Sequence, residues 1–142
     1  MKISDLMTTE IETDTPQQTA KEAASFMLSA DTGSIPVCDN GKVIGMITDR
    51  DIAVRGVAEG RGPETSVRDL MSKDIVCARE DDDISAIASR MSEAQVRRLP
   101  VVDADNRIVG MVSLGDLSRE ASDAAANRAL EGVSAPGGQH QQ

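Results

Sequence analysis

The sequence has almost no aromatic side chains. Phe26 is the only phenylalanine among 142 residues, and tryptophan and tyrosine are absent. Single-stranded nucleic acids are usually bound by stacking their bases on aromatic rings, so this mode of binding is excluded. The net charge of −9 disfavours nucleic acids and anionic membranes in general, because their phosphate groups are repelled. We therefore expect neither nucleic acid nor membrane among the partners.

Cysteine and histidine are nearly as scarce. Cys38 and Cys77 are too few for a disulfide scaffold and lack zinc-binding spacing. We interpret them as free thiols, buried or half-buried, with a disulfide or redox role as the alternative. The single histidine, His140, lies in a polar stretch. Because no nucleophile and base can be paired, we expect no catalytic residues, no metal and no enzymatic activity.

Long apolar runs are also missing. No segment of about 18 apolar residues is present, which is the length needed to cross a bilayer. Residues 1–5 do not begin a signal peptide. The expected location is therefore the cytoplasm.

What the chain does contain is a repeat. The triplet Asp-Leu-Met at residues 5–7 recurs 64 positions later at residues 69–71. An apolar-Pro-Val triplet at residues 35–37 recurs at residues 99–101. Two copies are too few for a solenoid array, and a half of about 60 residues is marginal alone. The pattern predicts a duplicated half-domain whose two copies bury their apolar faces together around a pseudo-twofold axis.

Composition sets the expected boundaries of these halves. We assign repeat one to residues 1–60, a linker to residues 61–66 and repeat two to residues 67–128. The last segment, residues 129–142, is rich in Gly, Ser, Pro and Gln. Because it cannot bury enough apolar surface to offset its ordering entropy, we predict that it is disordered.

Each repeat shows the same order of elements: a short helical turn, a strand, an amphipathic helix, a strand hairpin and a closing helix. Apolar residues recur at helical spacing from Ala20 to Leu28, and their counterparts from Ile84 to Met91 keep that stripe. Asn40-Gly41 is a strong signal for a tight turn between strands. Residues 81–83, all Asp, are interpreted as the acidic start of a helix and not as a metal site.

The chemistry lies where each hairpin runs into its closing helix. The run Gly-apolar-apolar-hydroxyl-x-x-Asp ends in Thr48 and Asp51 in repeat one, and in Ser113 and Asp116 in repeat two. A hydroxyl at a helix start lies beside unpaired N–H groups, where a phosphate is stabilised. The carboxylate three residues later could accept hydrogen bonds from the two hydroxyls of a ribose. The same residues also fit a capping box, and both interpretations remain open.

These motifs in tandem resemble a pair of CBS (cystathionine β-synthase) domains, over residues 2–124. The arrangement is similar to small bacterial proteins that consist of one such pair. The resemblance implies an α+β fold of duplicated β-α-β-β-α halves, packed sheet to sheet across the pseudo-twofold. It also implies a homodimer and an adenosyl ligand in the clefts between the repeats, for which AMP, ADP, ATP and S-adenosylmethionine are the candidates. We expect an unidentified protein partner to receive the signal.

The resemblance further implies which residues hold the ligand. Thr48, Asp51, Ser113 and Asp116 would bind phosphate and ribose. Backbone near the first strand and the residues before the Pro of each triplet would enclose the base. This indicates residues 11–13 and 33–35 in repeat one, Ile35 among them, and residues 75–77 and 96–99 in repeat two, Val76 among them.

The two repeats differ in charge just before the apolar-Pro-Val triplet. Repeat two has Arg97 and Arg98, where repeat one has Gly33 and Ser34. Arginine suits bidentate phosphate binding, because its fork is planar and stays charged. A solvated strand end or an ion pair is the alternative for this pair. If a nucleotide binds, we expect repeat two to bind it more tightly.

Two further expectations concern assembly and function. We expect apolar helix surface to be buried in a dimer, with Ile52, Ala53, Val54 and Leu117 as candidates. The leading hypothesis is a stand-alone regulatory module that binds an adenine ligand. The alternative is a ligand-free interaction module whose dimer is the functional object.

Overall fold

The computed structural model describes residues 2–120 and 130–131, with side chains through residue 117 and at the latter two. The fold is α+β, as predicted, with two small sheets. The chain forms two compact units. The central unit is residues 12–75, and the split unit combines residues 2–11 with residues 76–120. Apart from residues 130 and 131, the predicted tail lies outside the described residues.

The central unit contains one two-stranded antiparallel sheet and several helical segments. In chain order its elements are α1 (Ala20–Ala30), β1 (Ser34–Asp39), β2 (Lys42–Thr48), α2 (Asp49–Asp51), a π-helical turn (Ile52–Gly56), a 3-10 turn (Val57–Glu59) and α3 (Val67–Leu70). The split unit repeats this plan around a three-stranded sheet in the order β3-β4-β5. Its elements are a 3-10 turn (Ile3–Asp5), β3 (Ala78–Arg79), α4 (Ile84–Ala94), β4 (Arg98–Val102), β5 (Ile108–Ser113) and α5 (Leu114–Glu120).

The long helices begin and end where local chemistry dictates. Thr19 caps α1 in a reciprocal pair with Glu22, each side chain accepting from the other residue's backbone N–H at 3.2 Å. Asp83 caps α4 by accepting from the N–H of Ser85 at 3.2 Å. This confirms the acidic run at residues 81–83 as a helix start. Both helices end on a left-handed residue, Asp31 or Gln95.

The predicted hairpin turn is also confirmed. Asn40 and Gly41 have φ values of 52° and 81°, the left-handed pair that a two-residue turn requires. The longer loop of the split unit instead has one left-handed residue, Asn106. Both hairpins carry a register shift at the same repeat position, after Val37 and after Val101.

The opening strand of repeat one is shorter than predicted. Among the described residues of this opening segment, Asp14 alone pairs with β1, through a single parallel bridge to Val37. In the split unit, β3 makes one more hydrogen bond to its neighbouring strand than the Asp14 segment does. The Glu80 N–H donates to the Val102 carbonyl at 3.2 Å. The equivalent residue in repeat one is Pro16, which has no N–H to donate.

Each compact unit contains the Asp-Leu-Met segment of the other repeat. Segment 5–7 of repeat one belongs to the split unit, and segment 69–71 of repeat two belongs to the central unit. Thr8 pairs with Met111, and Ser72 pairs with Met46. Each Asp-Leu-Met triplet thus packs beside the hairpin of the other repeat.

Each unit has its own apolar core. The split-unit core combines Ile3 with residues of α4, β4 and β5. The central core combines Val67 and Leu70 of α3 with residues of α1, β1 and β2. Leu117 is 0% exposed and belongs to the split-unit core, so its predicted place in a dimer interface is wrong. The apolar stripe of α5 is used inside the unit.

Candidate functional site

The hydroxyl–acid pair of the central unit lies at the junction of β2 and α2. Thr48 has an extended backbone and is the N-cap of the helix. The Thr48 N–H donates to Asp51 Oδ2 at 3.0 Å, and the Asp51 N–H donates to Thr48 Oγ1 at 3.1 Å. The pair is therefore a capping box. The Thr48 hydroxyl still has its own proton to donate, because Oγ1 acts only as an acceptor in this bond.

The split unit repeats this geometry between β5 and α5. The Ser113 N–H donates to Asp116 Oδ2 at 2.9 Å, and the Asp116 N–H donates to Ser113 Oγ at 3.1 Å. Asp116 is buried, whereas Ser113 is half-buried. Both interpretations of the motif thus share one geometry, since the capping residues are also those that a nucleotide would contact.

Asp51 has further contacts within the central unit. It is 2% exposed, and its Oδ1 accepts from the Ser72 hydroxyl at 3.5 Å. The Nε of Arg55 lies 3.9 Å from the same oxygen. Burial raises the pKa of Asp51, and the bonds from Thr48, the charge of Arg55 and the bond from Ser72 oppose that rise. Asp51 therefore connects α2 to the segment that follows α3.

The two units differ beside these pairs. In the central unit, the Asp49 N–H donates to the Gly33 carbonyl at 3.0 Å, and Ser34 pairs with Thr48. An ideal Cβ on Gly33 would lie 3.0 Å from Asp49 Oδ2. This edge of the central unit therefore presents a carboxylate and no cation from residues 33 and 34.

In the split unit, the same positions carry the two arginines. The Leu114 N–H donates to the Arg97 carbonyl at 2.9 Å, and Arg98 pairs with Ser113. Both arginines are exposed. The structure thus brings together Arg97, Arg98, Ser113 and Asp116, four of the predicted site residues.

The two residues predicted to enclose the base lie in different surroundings. Ile35 is 1% exposed, belongs to the central core and pairs with Ile47, the residue before Thr48. Val76 is half-buried and packs against the split-unit core two residues before β3. Their role in ligand binding stays a prediction.

Sequence reasoning missed Asp14. Its carboxylate is 4% exposed, and Oδ2 accepts no hydrogen bond from the described residues. Burial raises the pKa of Asp14, and the negative charge of Glu22 raises it further. Repeat two has Ala78 at the equivalent position, paired with Val101 as Asp14 is paired with Val37. Alignment of the repeats shows the exchange of Ala for Asp, but burial is visible only in the fold.

The cysteine thiols and the acidic side chains are the remaining candidates for reactive or metal-binding groups among the described residues. Cys38 is buried and Cys77 is half-buried, and both are free thiols, as predicted. Burial raises the pKa of the Cys77 thiol, and the charge of Arg90 opposes this, so the thiol stays protonated at neutral pH. Within residues 2–120 and 130–131, no three His, Cys, Asp or Glu side chains are placed to share a metal ion. None of the helices described there is long and apolar enough to span a bilayer.

Comparisons with known proteins agree with this geometry. The sequence profile of the CBS domain matches residues 3–56 and again residues 67–123. The CBS domain-containing protein YhcV of Bacillus subtilis is 42% identical over 133 residues, which cover 93% of this chain and 94% of that protein. Hypoxic response protein 1 of Mycobacterium tuberculosis is 33% identical over 121 residues, 84% of each chain.

Solved structures give the same result. The CBS domain pair of protein MJ0100, in complex with 5-methylthioadenosine and S-adenosyl-L-methionine, has a TM-score of 0.74 at 28% identity, covering 84% of this chain and 94% of that one. Hypoxic Response Protein I, solved with two coordinated zinc ions, has a TM-score of 0.78 at 33% identity, covering 84% and 98%. The tandem motifs, the duplicated units and these matches together show that the chain belongs to the CBS domain family, as a tandem pair.

Proposed function

We propose that this CBS pair is a non-catalytic regulatory module that binds an adenosyl ligand at its two hydroxyl–acid pairs. The observation that carries the proposal is the recurrence of Thr48 with Asp51 and Ser113 with Asp116 in one geometry at both hairpin ends. Each hydroxyl can donate to a phosphate, and each carboxylate oxygen can accept more than one hydrogen bond. The related pair of MJ0100, solved with two adenosyl ligands, supports the ligand class.

We place the tighter site in the split unit. Its edge carries Arg97 and Arg98, whereas the corresponding edge of the central unit carries Asp49. A phosphate is attracted by the first edge and repelled by the second. Asp51 is also more deeply buried than Asp116, with 2% against 9% of its surface exposed, so it is the less accessible carboxylate.

Removing Asp116 tests this assignment. We expect Asp116→Ala to weaken binding of ATP or S-adenosylmethionine by about 1.5–3 kcal/mol, because hydrogen bonds between the ribose and a charged group are lost. Asp51→Ala should weaken it less. Isothermal titration calorimetry on both variants measures this, with Asp105→Ala as the control, since it removes an exposed carboxylate from the same unit as Asp116.

Loss of the helix cap must be separated from loss of binding. Asp116→Ala also removes the cap and should lower stability by about 1 kcal/mol, so the titrations are done well below the melting temperature of each variant. Equal affinity in Asp116→Ala and the wild type would refute the site assignment.

A ligand-free interaction module is the second candidate function. It is favoured by the capping bonds themselves, because both carboxylates already accept backbone N–H groups within their own helix starts. The titrations decide between the two functions. No heat with any adenine nucleotide or S-adenosylmethionine would favour the interaction module.

We also propose that the module is a homodimer formed through the central unit. A groove of about 380 Å³ lies between α1 and the π-helical and 3-10 turns. Its rim includes Leu28 and Val57, which are 86% and 71% exposed. Ile52, predicted for a dimer interface, also lines it. A second copy would remove these large apolar side chains from water, which is the usual way to cover such a surface.

Introducing one charged side chain into the groove tests the dimer. Light scattering of the wild type should give twice the 15.0 kDa mass of the chain, and Leu28→Asp should shift it to the monomer, because a buried, unpaired carboxylate opposes association. Ser29→Asp, also exposed on α1, is the control and should remain dimeric. A monomeric wild type at micromolar concentration would refute the proposal.

A further inference from the structure

A second cleft of the central unit lies outside the hydroxyl–acid pair. It has a volume of about 470 Å³ and is largely polar. Its lining consists of Arg55, Arg68, Asp69, Met71, Lys73 and Asp74. We call it the polar cleft.

One wall of the polar cleft is held in place by hydrogen bonds. Arg55 Nη1 donates to the Met71 carbonyl at 3.0 Å and to the Leu70 carbonyl at 3.4 Å. Its Nε lies 3.9 Å from Asp51, and 41% of the side chain remains exposed. A guanidinium fixed in this way loses little further entropy when it binds an anion, since its orientation is already set.

The other two cations lie on the exposed surface of the same cleft. Arg68 and Lys73 are exposed, and neither is in an ion pair recorded among the described residues. The lining also includes Asp69 and Asp74, so its six residues carry one net positive charge, while the chain carries −9. Asp51, which lies 3.9 Å from Arg55, is outside the lining. Three cations that share one concave site attract a phosphate group more strongly than the surrounding anionic surface does.

The cations are specific to this unit. At the repeat positions of Arg68 and Lys73, repeat one has Ser4 and Thr9. Inheritance by duplication therefore does not account for them, in contrast to the capping pairs. Arg55 lies between the polar cleft and the hydroxyl–acid pair, since its Nε is 3.9 Å from Asp51 Oδ1.

From this geometry we infer that the polar cleft binds the phosphate groups of a nucleoside di- or triphosphate. This inference rests on the proposed function for the identity of the nucleoside, but not for the phosphate. Arg55 supplies a planar fork, and Arg68 and Lys73 supply the remaining charge. The cleft then distinguishes ligands by phosphate number, which Thr48 and Asp51 alone do not.

The test removes charge without disturbing the fold. The double variant Arg68→Gln/Lys73→Gln changes two exposed side chains. Lys42→Gln removes another exposed cation, at the start of β2, and serves as the control. Titrations use ATP, adenosine and inorganic tripolyphosphate. We expect the double variant to bind tripolyphosphate about tenfold more weakly or worse, and adenosine with unchanged affinity. For ATP, we expect loss of the weaker binding event only, with the affinity of the split-unit site unchanged.

The three probes separate this inference from the proposed function. Unchanged tripolyphosphate affinity in the double variant, or an equal loss in Lys42→Gln, would refute phosphate binding by the polar cleft. Neither result would affect the proposed binding of adenosine. Tripolyphosphate binding that the double variant loses, with no binding of adenosine or S-adenosylmethionine to any form, would support the cleft and refute the adenosyl proposal.

Discussion

Replacing Asp14 with alanine should stabilise the protein by about 1–3 kcal/mol at pH 7, which is the usual penalty for burying a polar group without a partner. Oδ2 of Asp14 is buried and accepts no hydrogen bond from the described residues. Glu22 adds repulsion, as the raised pKa of Asp14 indicates. The substitution removes both unfavourable terms, and Ala78 shows that repeat two accommodates alanine at this position.

The gain should depend on pH with a definite sign. The pKa of Asp14 is raised above its ordinary value of 3.8, so the folded protein holds this proton to higher pH than the unfolded chain. Between 3.8 and the raised pKa, the wild type loses stability as pH increases. The advantage of Asp14→Ala should therefore be full above the raised pKa and fall as the pH approaches 3.8. Urea denaturation at several pH values measures it.

Two further variants sharpen this test. Asp14→Asn removes the charge but keeps a buried polar group, and should give a smaller gain. The reciprocal change, Ala78→Asp, places a carboxylate at a position that is 0% exposed and should destabilise by about 3–5 kcal/mol, as expected for an uncompensated buried charge. A stability of Asp14→Ala at or below that of the wild type would contradict the account.

The second large effect is expected at Gly45. An ideal Cβ there would lie 2.7 Å from the Ser72 carbonyl oxygen and 2.9 Å from Met71 Sδ. The methionine can move, but the carbonyl is held by the Met46 N–H at 3.0 Å. Gly45→Ala should therefore lower the free energy of unfolding by about 1–3 kcal/mol, the range for overpacking a well-filled site.

The split unit provides a replicate, and a surface glycine provides a control. An ideal Cβ on Gly110 meets Met7 Sδ at 2.7 Å and the Thr8 carbonyl at 2.9 Å, so Gly110→Ala should be similarly destabilising. Apart from its chain neighbours, no described residue has an atom within 4 Å of an ideal Cβ on Gly62, and Gly62→Ala should stay within about 0.5 kcal/mol of the wild type. Equal stabilities of Gly45→Ala and Gly62→Ala would show that the close approach is relaxed in solution.

These glycines also show which part of the repeated motifs serves packing and which part is left for ligand binding. Gly45 and Gly110 allow the Asp-Leu-Met segments to approach the hairpins, and Met71 and Met7 fill that space. The triplets and the glycines are therefore packing elements of the fold. Of the repeated residues, Thr48, Asp51, Ser113 and Asp116 are the candidates for ligand contact.

The sequence by itself determined the features that depend on residues close together in the chain. The left-handed turn at Asn40-Gly41, the apolar stripes of α1 and α4 and the hydroxyl–acid pairs depend on residues at most a few positions apart. Their hydrogen bonds form wherever such a segment folds. The duplication was visible for the same reason, since two copies of a local pattern can be aligned. These features sufficed to predict the order of elements within each repeat and the position of the candidate site, and the family resemblance that they carry implied the α+β class.

Only the tertiary structure decided which distant segments meet. The exchange of the Asp-Leu-Met segments, the burial of Asp14 and Leu117 and the assembly of the polar cleft depend on contacts across many residues. Periodicity predicts that a helix has an apolar face but does not specify what covers it, which is why Leu117 was wrongly expected at a dimer interface. Whether a carboxylate such as Asp14 is solvated or buried depends on close packing from every side, and no single segment of the sequence contains that information.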